Sequence, residues 1–446
     1  MKGLGPRHPQ PAPLFRDSLG ASYSQHGTLY TSKLFEVTDV EVAIIGGGIG
    51  GLATALYLHQ ANIKCQIYES ADNFTQLGVG INLMSHAIRA LGELGLVEAV
   101  GKVAVEPEWR CYYNHHGQLI HRELTGRFAG YQWSHYSVHR GDLHEILLQA
   151  VQDRLGPDVV HMGHRFTKVV EDDGGVTLHW ADPHGEPLPP TTATIAIGCD
   201  GVNSAVRRQF HPNEGRLAFG GINMWRGSSV YRPILDGKSV ILAGSMKYGK
   251  LVIYPMRNYP DGRQLINWNV EVKSEVAGPN AWNKSGNVED FIWRYKDSSI
   301  EWVDFADLVS HADMVLEYPM VDRDPVDRWT FGRVTLLGDA AHPMYPRSGN
   351  GAAQSILDAQ AVARSIAGMP PVEALQAFQQ ERLEVVNKIV VSSRTSPPDL
   401  IIETVEQRTN GARFEKLDDV ISKAELQGII DNFHRLTGST LAAVNR

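Results

Sequence analysis

One glycine-rich stretch, VAIIGGGIGGLATALYL (Val42–Leu58), restricts the fold of this chain more than any other segment. A β-branched run ends at Gly46, and Gly48 and Gly51 follow with G-x-G-x-x-G spacing before a helical pattern over Leu52–Gln60. In a strand–turn–helix unit the first glycine permits the turn, the second lets the backbone approach a pyrophosphate, and the third lets helix and strand pack closely. Five glycines within six residues also favour this turn over a membrane-spanning helix.

The next strand supports the same interpretation. Lys64–Tyr68 is a second short apolar run, and it ends at an acidic residue, Glu69. An acid at this position accepts hydrogen bonds from an adenosine ribose, while N–H groups at the start of the preceding helix face the phosphates. The unit therefore predicts a binding site for a dinucleotide.

Two later segments again place glycine and an acid at the end of an apolar strand. They are Asp200-Gly201, in ATIAIGCDGVNSAVRRQF, and Gly338-Asp339, in GRVTLLGD. Ligands of open α/β sheets bind at the carboxyl ends of the strands. We therefore expect the three strand ends, although remote in sequence, to converge on one elongated cofactor.

Charge and cysteine content narrow the class of protein. A net charge of −8 over 446 residues argues against a nucleic-acid partner. The three cysteines, Cys65, Cys111 and Cys199, are far apart, which predicts reduced thiols in a cytoplasmic protein. We also expect a monomer or homodimer without a membrane span. Residues 1–38 are rich in proline, glycine and polar residues and are expected to form a flexible extension, with an organelle-targeting peptide as the alternative.

The remaining pattern predicts the fold class. Helix and strand patterns alternate except between about Arg216 and Val272, where apolar and polar residues alternate with a period of two. We expect an α/β protein with a Rossmann-like nucleotide-binding domain, an inserted, mainly antiparallel β-sheet domain that binds the substrate, and C-terminal helices. The predicted ranges are 39–107, 136–215 and 320–371 for the nucleotide domain, 108–135 and 216–319 for the sheet domain, and 372–446 for the helical segment.

A hairpin is predicted within Trp109–Glu123, and it carries three histidines. His115, His116 and His121 lack the i,i+4 spacing of a helical metal site and have no carboxylate pair nearby in sequence. We therefore expect a solvent-exposed hairpin tip and predict no metal site.

The three glycine–acid motifs together resemble those of the FAD-dependent aromatic hydroxylases, the single-component flavoprotein monooxygenases of the p-hydroxybenzoate hydroxylase fold. The resemblance spans about residues 40–395 and is carried by GGGIGG with Glu69, by CDGVNSAVR (Cys199–Arg207) and by GDAAHPMYP (Gly338–Pro346). Within this family, GINMWRG (Gly221–Gly227) and YPMVDRDP (Tyr318–Pro325) are most similar to the phenazine-carboxylate hydroxylases. Salicylate and 3-hydroxybenzoate hydroxylases are somewhat less similar.

The resemblance implies the cofactors and most of the site. FAD is the expected prosthetic group. The resemblance also implies that NAD(P)H binds transiently in a surface groove, so the absence of a second G-x-G-x-x-G unit is expected. Asp339 is expected to be buried and to accept a hydrogen bond from the FAD ribityl chain, because a buried carboxylate is costly without partners. The implied cofactor-binding residues are Gly46, Gly48, Gly51, Glu69, Arg140, Asp200, Gly338, Asp339, Gly349, Asn350 and Gly351.

The loop after Asp339 is expected to face the flavin ring. Pro343 and Pro346 fix φ and remove N–H donors, which suits a dry and rigid wall, and the following helix offers N–H groups to the flavin. Pro343, Pro346 and Arg347 are therefore flavin-proximal candidates, although no catalytic residue is assigned. Close relatives usually carry glycine where this chain has Ser348. Arg347 either influences the flavin or an anionic substrate, or points to solvent.

The implied reaction is hydroxylation, with or without decarboxylation, of an aromatic or fused N-heteroaromatic substrate. NAD(P)H and O₂ would act through a flavin C4a-hydroperoxide, which requires a pocket that excludes water. Arg226 is expected either to bind a substrate carboxylate or to form an ion pair with a strand neighbour. The other candidate substrate residues, for each of which core packing is the alternative, are Trp225, Tyr254, Met256, Trp268, Met344 and Tyr345.

Other functions stay open at this point. A salicylate- or hydroxybenzoate-type hydroxylase differs only in its substrate. A flavin dehydrogenase or reductase on the same fold would show no substrate-stimulated O₂ uptake, and an FAD-binding sensor would turn over no NAD(P)H. A flavin halogenase would carry a Trp-x-Trp-x-Ile-Pro signature, which the chain lacks.

Overall fold

The computed structural model describes residues 41–74, 79–275, 284–296 and 300–446. The predicted extension, residues 1–38, lies outside the described residues. In chain order the strands are β1 (Glu41–Ile45), β2 (Lys64–Tyr68), β3 (Gly80–Leu83), β4 (Trp109–Tyr113), β5 (Leu119–Leu124), β6 (Tyr136–His139), β7 (Val160–His161), β8 (Arg165–Glu171), β9 (Val176–Ala181), β10 (Pro187–Ala193), β11 (Ile195–Gly198), β12 (Ala218–Tyr231), β13 (Ser239–Ala243), β14 (Lys250–Asn258), β15 (Gln264–Lys273), β16 (Ala312–Asp322), β17 (Thr330–Phe331) and β18 (Val334–Leu336). The α-helices are α1 (Ile49–Gln60), α2 (Ser85–Glu93), α3 (Val97–Val103), α4 (Arg140–Leu155), α5 (Ala205–Phe210), α6 (Glu289–Ile292), α7 (Phe305–Ser310), α8 (Gly351–Gly368), α9 (Pro371–Thr395), α10 (Leu400–Arg408), α11 (Lys423–Leu436) and α12 (Leu441–Val444).

A six-stranded sheet carries the glycine–acid motifs. Its order is β17–β18–β11–β1–β2–β7, and all pairs are parallel except that of the edge strand β17. The strands form one hydrophobic core with α1, α8 and α9, in which Val42, Ile44 and Ile197 are fully buried. This burial explains why the strands are short, continuous apolar runs rather than alternating ones.

A seven-stranded sheet forms the second half of the fold. Its order is β16–β12–β15–β14–β13–β4–β5, and it is antiparallel except for the pair β13–β4. The predicted fold class, a Rossmann-like domain with an inserted antiparallel sheet and C-terminal helices, is confirmed.

The register of this sheet separates its side chains into two faces, since neighbouring residues of a strand point to opposite sides. Met224, Arg226, Tyr254 and Glu271 share what we call the inner face, which Val79 contacts through Met224. The outer face carries a core formed with α6 and α7, whose aromatic members include Trp225, Trp268, Phe291 and Phe305.

Two smaller sheets complete the fold: β8, β9 and β10 form one, and β3 and β6 form the other. The C-terminal helices α10 and α11 pack on the seven-stranded sheet, where Ile401, Val405 and Leu426 join one apolar cluster with Tyr112 and Tyr254. Among the described helices, none combines the length and apolarity that crossing a bilayer requires.

Candidate active site

The three glycine–acid motifs and Glu69 meet at one edge of the six-stranded sheet. They follow β18, β11, β1 and β2, which are adjacent parallel strands, so their carboxyl ends lie side by side. The backbone links neighbouring ends directly, through the hydrogen bond from Leu337 N to Gly198 O (2.9 Å) and that from Cys199 N to Ile45 O (2.7 Å). We call this place the carboxyl edge.

The glycine turn after β1 has the shape that a pyrophosphate requires. Gly46 has φ +108°, and a Cβ there would lie 2.5 Å from the carbonyl oxygen of Cys199. A Cβ on Gly51 would overlap the carbonyl oxygen of Gly46, whereas one on Gly48 would meet nothing within 4 Å. Helix α1 starts at this turn with no side-chain cap and no acid in its first turn. Open space above Gly48 and uncapped N–H groups together fit a phosphate ligand.

Glu69 is tied to the same turn. Its Oε2 accepts a hydrogen bond from Gly47 N (2.8 Å), and its Oε1 accepts one from Ala71 N (2.9 Å). Oε1 also accepts from Ser70 Oγ (3.0 Å), so its two lone pairs are used, whereas Oε2 accepts only one hydrogen bond and keeps capacity for a ribose hydroxyl. The structure therefore places Glu69 where a ribose contact is possible.

Both carboxylate oxygens of Asp200 accept hydrogen bonds from within the protein. Its Oδ1 accepts from Ser204 Oγ (2.5 Å), and its Oδ2 accepts from the amides of Ala205 (2.7 Å) and Val206 (3.1 Å) at the start of α5. Burial raises the pKa of this carboxyl, and the hydrogen bonds oppose that effect. Asp200 thus fixes the chain beside the glycine turn.

Arg207, the last residue of the second motif, has a structural role that the sequence does not predict. It is almost fully buried and pairs with Glu214. Its Nη1 donates to the carbonyl oxygens of Ala340 (3.1 Å) and Ala341 (2.5 Å). The second motif therefore holds the turn that carries the third one.

Asp339 is exposed, so the expectation that it is buried is wrong. No hydrogen bond from the described residues reaches its carboxylate, and its Oδ1 is 3.8 Å from the position of a Cβ on Gly351, at the start of α8. Desolvation by the surrounding protein raises its pKa, while His342 and Arg140 act in the opposite direction. Arg140 is itself exposed at the start of α4. An unpartnered acid beside a helix N-terminus is suited to accept hydrogen bonds from ligand hydroxyl groups.

The loop after Asp339 runs toward the second sheet. Pro343 and Tyr345 are buried, Met344 is partly buried, and Pro346 opens a 3₁₀ turn that ends at Gly349 with φ +63°. The helix α8 then begins at Gly351 after the buried Asn350. Tyr345 packs with Ile222, Met246 and Met320, so the loop joins the two halves of the fold.

Arg347 does not point to solvent, which was one of its two expected orientations. Its side chain is only 12% exposed, and its Nη2 donates to Oδ2 of Asp399, 2.8 Å away, just before α10. The guanidinium therefore does not point to solvent, and it already has an acidic partner within the protein.

The predicted substrate residues lie on different faces of the seven-stranded sheet. Trp225 and Trp268 belong to the outer-face core, so we leave them out of the proposed substrate surface. Arg226 is on the inner face and donates to Asn269 Oδ1 and to Gly80 O, both at 2.9 Å. Asn269 is a strand neighbour, but both acceptors are neutral, so among the described residues Arg226 forms no ion pair of the expected kind.

Tyr254 and Met256 form a small inner-face surface with Gly80. A Cβ on Gly80 would lie 2.6 Å from Met256 Sδ and from the Tyr254 ring, so β3 packs directly on these two side chains. Burial is the largest influence on the pKa of Arg226 and would lower it. The nearby hydroxyl groups of Tyr318 and Tyr254 act in the opposite direction, and the pKa is raised overall. The inner face thus offers an aromatic, partly polar wall.

The hairpin tip between β4 and β5 is not freely exposed, so that expectation is wrong. His115 is 20% exposed, stacks on Tyr248 with 3.8 Å between ring centroids, and lies 2.9 Å from Glu406. His116 Nε2 lies 2.9 Å from the carbonyl oxygen of Gly411. The C-terminal segment covers this tip, which local sequence could not reveal.

Fold and site together define an FAD-binding enzyme. The family model described as "FAD binding domain" matches residues 39–393, and the chain belongs to this family. The predicted class, FAD-dependent aromatic hydroxylases or monooxygenases, is thereby confirmed.

Individual proteins of known activity or structure resemble this chain to different extents. The chain is 40% identical over 365 residues to a phenazine 1,6-dicarboxylic acid hydroxylase of Lysobacter antibioticus, which covers 80% of this chain and 90% of the relative. It is 32% identical over 362 residues to a 3-amino-4-hydroxybenzoate 2-monooxygenase of Streptomyces platensis, covering 79% and 86%. Its fold matches that of Klebsiella pneumoniae HpxO complexed with FAD and uric acid, with a TM-score of 0.68, 19% identity and coverage of 92% and 98%.

Proposed function

We propose that this protein hydroxylates an aromatic or fused N-heteroaromatic acid, using NAD(P)H and O₂, with or without loss of a carboxyl group. The observation that carries the proposal is the Asp339 carboxylate at the carboxyl edge, beside the start of α8, which accepts no hydrogen bond from the described residues. The two relatives above act on a phenazine dicarboxylic acid and on an aminohydroxybenzoate, both of them aromatic acids.

The residues at the carboxyl edge fit FAD. The space above Gly48 would take the pyrophosphate, Glu69 the adenosine ribose, and Asp339 the ribityl hydroxyls. FAD supplies the redox chemistry when bound: it accepts electrons from NAD(P)H and activates O₂ for transfer of one oxygen atom. Arg140 and the N–H groups of α8 add positive potential where a reduced cofactor would carry negative charge.

The protein's part in the reaction is to orient the ring and keep water away. Pro343 and Pro346 present no N–H donors on the loop that would face the flavin, and Tyr254 and Met256 present an aromatic, partly polar wall on the seven-stranded sheet. No general base is assigned, since the phenol or amine of such a substrate supplies the electron density itself.

The proposal is tested by NAD(P)H oxidation with a panel of phenazine, quinolone and hydroxybenzoate acids. We expect substrate-stimulated O₂ uptake and a product heavier by one oxygen atom, or lighter by a carboxyl group and heavier by a hydroxyl. Flavin reduction without O₂ uptake in response to any acid would instead support a reductase. Bound FAD without NAD(P)H turnover would support a sensor.

A further inference from the structure

The helix α10 lies beyond the part of the chain that matches the family, yet it contacts the loop expected to face the flavin. The family match ends at residue 393, and α10 begins at Leu400. Three acids at i, i+4 and i+7 spacing, Asp399, Glu403 and Glu406, lie along one side of this segment, and each contacts a different partner.

Asp399 joins three parts of the fold through a buried charge cluster. Its Oδ2 accepts from Arg347 Nη2 (2.8 Å) and lies 3.0 Å from Lys250 Nζ on β14, which is also 3.0 Å from Glu271 Oε2 on β15. Lys250, Glu271 and Asp399 are at most 3% exposed. Two cations and two anions make the cluster neutral, so removal of one acid leaves an uncompensated buried charge.

The other two acids hold the loop between β13 and β14. Glu403 Oε1 accepts from Met246 N (3.0 Å), and Glu406 accepts from Ser245 Oγ and from His115 N (2.7 Å). The Met246 side chain packs in turn on Tyr345, two residues before Arg347. The same short helix therefore fixes both the flavin-facing loop and the loop that packs against it.

The apolar side of α10 covers the inner face itself. Ile401, Ile402 and Val405 are fully buried in one cluster with Tyr254 and Met256, the wall proposed for the substrate. Water that reached this wall from the C-terminal side would have to displace α10.

We propose that α10 closes the substrate side of the active site, and that Asp399 and Arg347 are the positioning residues that hold it closed. The predicted loss of hydroxylated product rests on the proposed hydroxylase function, whereas the predicted opening of α10 does not. If α10 opens, water enters, and reduced cofactor is consumed with release of H₂O₂ instead of hydroxylated product.

The test uses Arg347→Met and Asp399→Asn in the full-length, FAD-loaded protein. Arg347→Met separates the loop from α10 but leaves the Asp399–Lys250 pair, so it should fold even if Asp399→Asn does not. Amide hydrogen exchange over residues 244–249 and 400–408 should be about tenfold or more faster in both variants. Arg347→Lys should restore part of the protection. Asp418→Asn, at an exposed acid of the same segment, is the control and should exchange as wild type does.

The catalytic readout is the amount of product formed per NAD(P)H oxidised. We expect it to fall at least about twofold in Arg347→Met and to stay that of wild type in Asp418→Asn. Wild-type exchange in Arg347→Met, or equal acceleration in Asp418→Asn, would overturn the inference. If no acid of the panel is hydroxylated, the proposed function fails, and hydrogen exchange still decides whether α10 is held by these residues.

Discussion

The Nε2 of His342 lies 2.6 Å from Oδ2 of Asp358, and both side chains are completely shielded from solvent. The same oxygen accepts from Gly338 N (3.2 Å), and Oδ1 accepts from Arg382 Nε (2.7 Å). Burial would raise the pKa of Asp358, but Arg382 and His342 hold that pKa below its ordinary value. The buried, ionised carboxylate of Asp358 thus supports the turn that carries Asp339 through its contacts with Gly338 and His342.

Asp358→Asn should therefore weaken both the fold and the cofactor site. It leaves Arg382 buried without its charge partner, a loss that typically costs about 3–5 kcal/mol. We expect a lower melting temperature and a larger Kd for FAD, measured by thermal unfolding and by flavin fluorescence titration. Glu373→Gln, at an exposed acid of α9, should change neither. Wild-type values in Asp358→Asn would show that the turn does not depend on this carboxylate.

The glycine turn predicts opposite outcomes for two single-methyl additions. Gly48→Ala places its methyl group in open space, so the melting temperature should stay near that of wild type while FAD binding weakens. Gly51→Ala overlaps the carbonyl oxygen of Gly46 and should destabilise the protein itself. Thermal unfolding of both apoproteins, followed by FAD titration of Gly48→Ala, separates the effects. Undiminished FAD affinity in Gly48→Ala would place the pyrophosphate elsewhere.

Substitutions on the outer face of the seven-stranded sheet should reduce stability, whereas substitutions on the inner face should weaken substrate binding. Trp268 is fully buried on the outer face and donates to Ser229 Oγ (3.0 Å), so Trp268→Ala should cost about 3–5 kcal/mol in urea unfolding. The fraction of Trp268→Ala that remains folded should keep the wild-type KM for the aromatic acid. Tyr254→Phe, on the inner face, should raise the KM for the aromatic acid with little loss of stability. A reversed pattern would place the substrate on the outer face.

Two buried histidines predict that stability falls in mild acid. Burial, assisted by nearby cations, lowers the pKa of His86 to about 4 and that of His135 to about 3. The unfolded chain keeps their ordinary pKa of 6.5, so it binds more protons below that pH, and the free energy of unfolding falls as the pH drops from about 6.5 toward 4. Each histidine contributes up to about 1.4 kcal/mol per pH unit in this window.

His86→Leu tests the origin of that slope. Neither ring nitrogen of His86 has a hydrogen-bond partner among the described residues, so leucine removes a titrating group without leaving an acceptor or donor unpaired. Urea unfolding between about pH 7 and pH 5 should show a shallower slope in the variant than in wild type. Identical slopes would assign the acid sensitivity to other groups.

Local sequence pattern predicted the carboxyl edge well, because its chemistry resides in short motifs. The bounds of β2 matched the prediction, and the strand ends bearing Gly46, Asp200 and Asp339 meet as expected. The sheet of β8, β9 and β10 was not predicted. Its edge strand, PLPPTTA, carries three prolines, which are unfavourable within a sheet but are tolerated in an edge strand.

The failures concern contacts between segments far apart in sequence. Period-two alternation shows that Trp225 and Arg226 point to opposite faces, but only the register places Trp268 opposite Gly227, on the face of Trp225. Likewise, nothing near His115 or Arg347 in sequence indicates that Glu406 and Asp399 will cover them. Tertiary packing of α10 decides both.

The most direct test of the account is an equilibrium titration of FAD against wild-type protein and Asp339→Ala, followed by flavin fluorescence. We expect tight, stoichiometric binding to wild type and at least about 100-fold weaker binding to the variant, since a charged hydrogen-bond acceptor facing the ligand is lost. Full FAD occupancy of Asp339→Ala at wild-type affinity, or a wild-type protein that binds no FAD, would contradict the proposed cofactor site at the carboxyl edge.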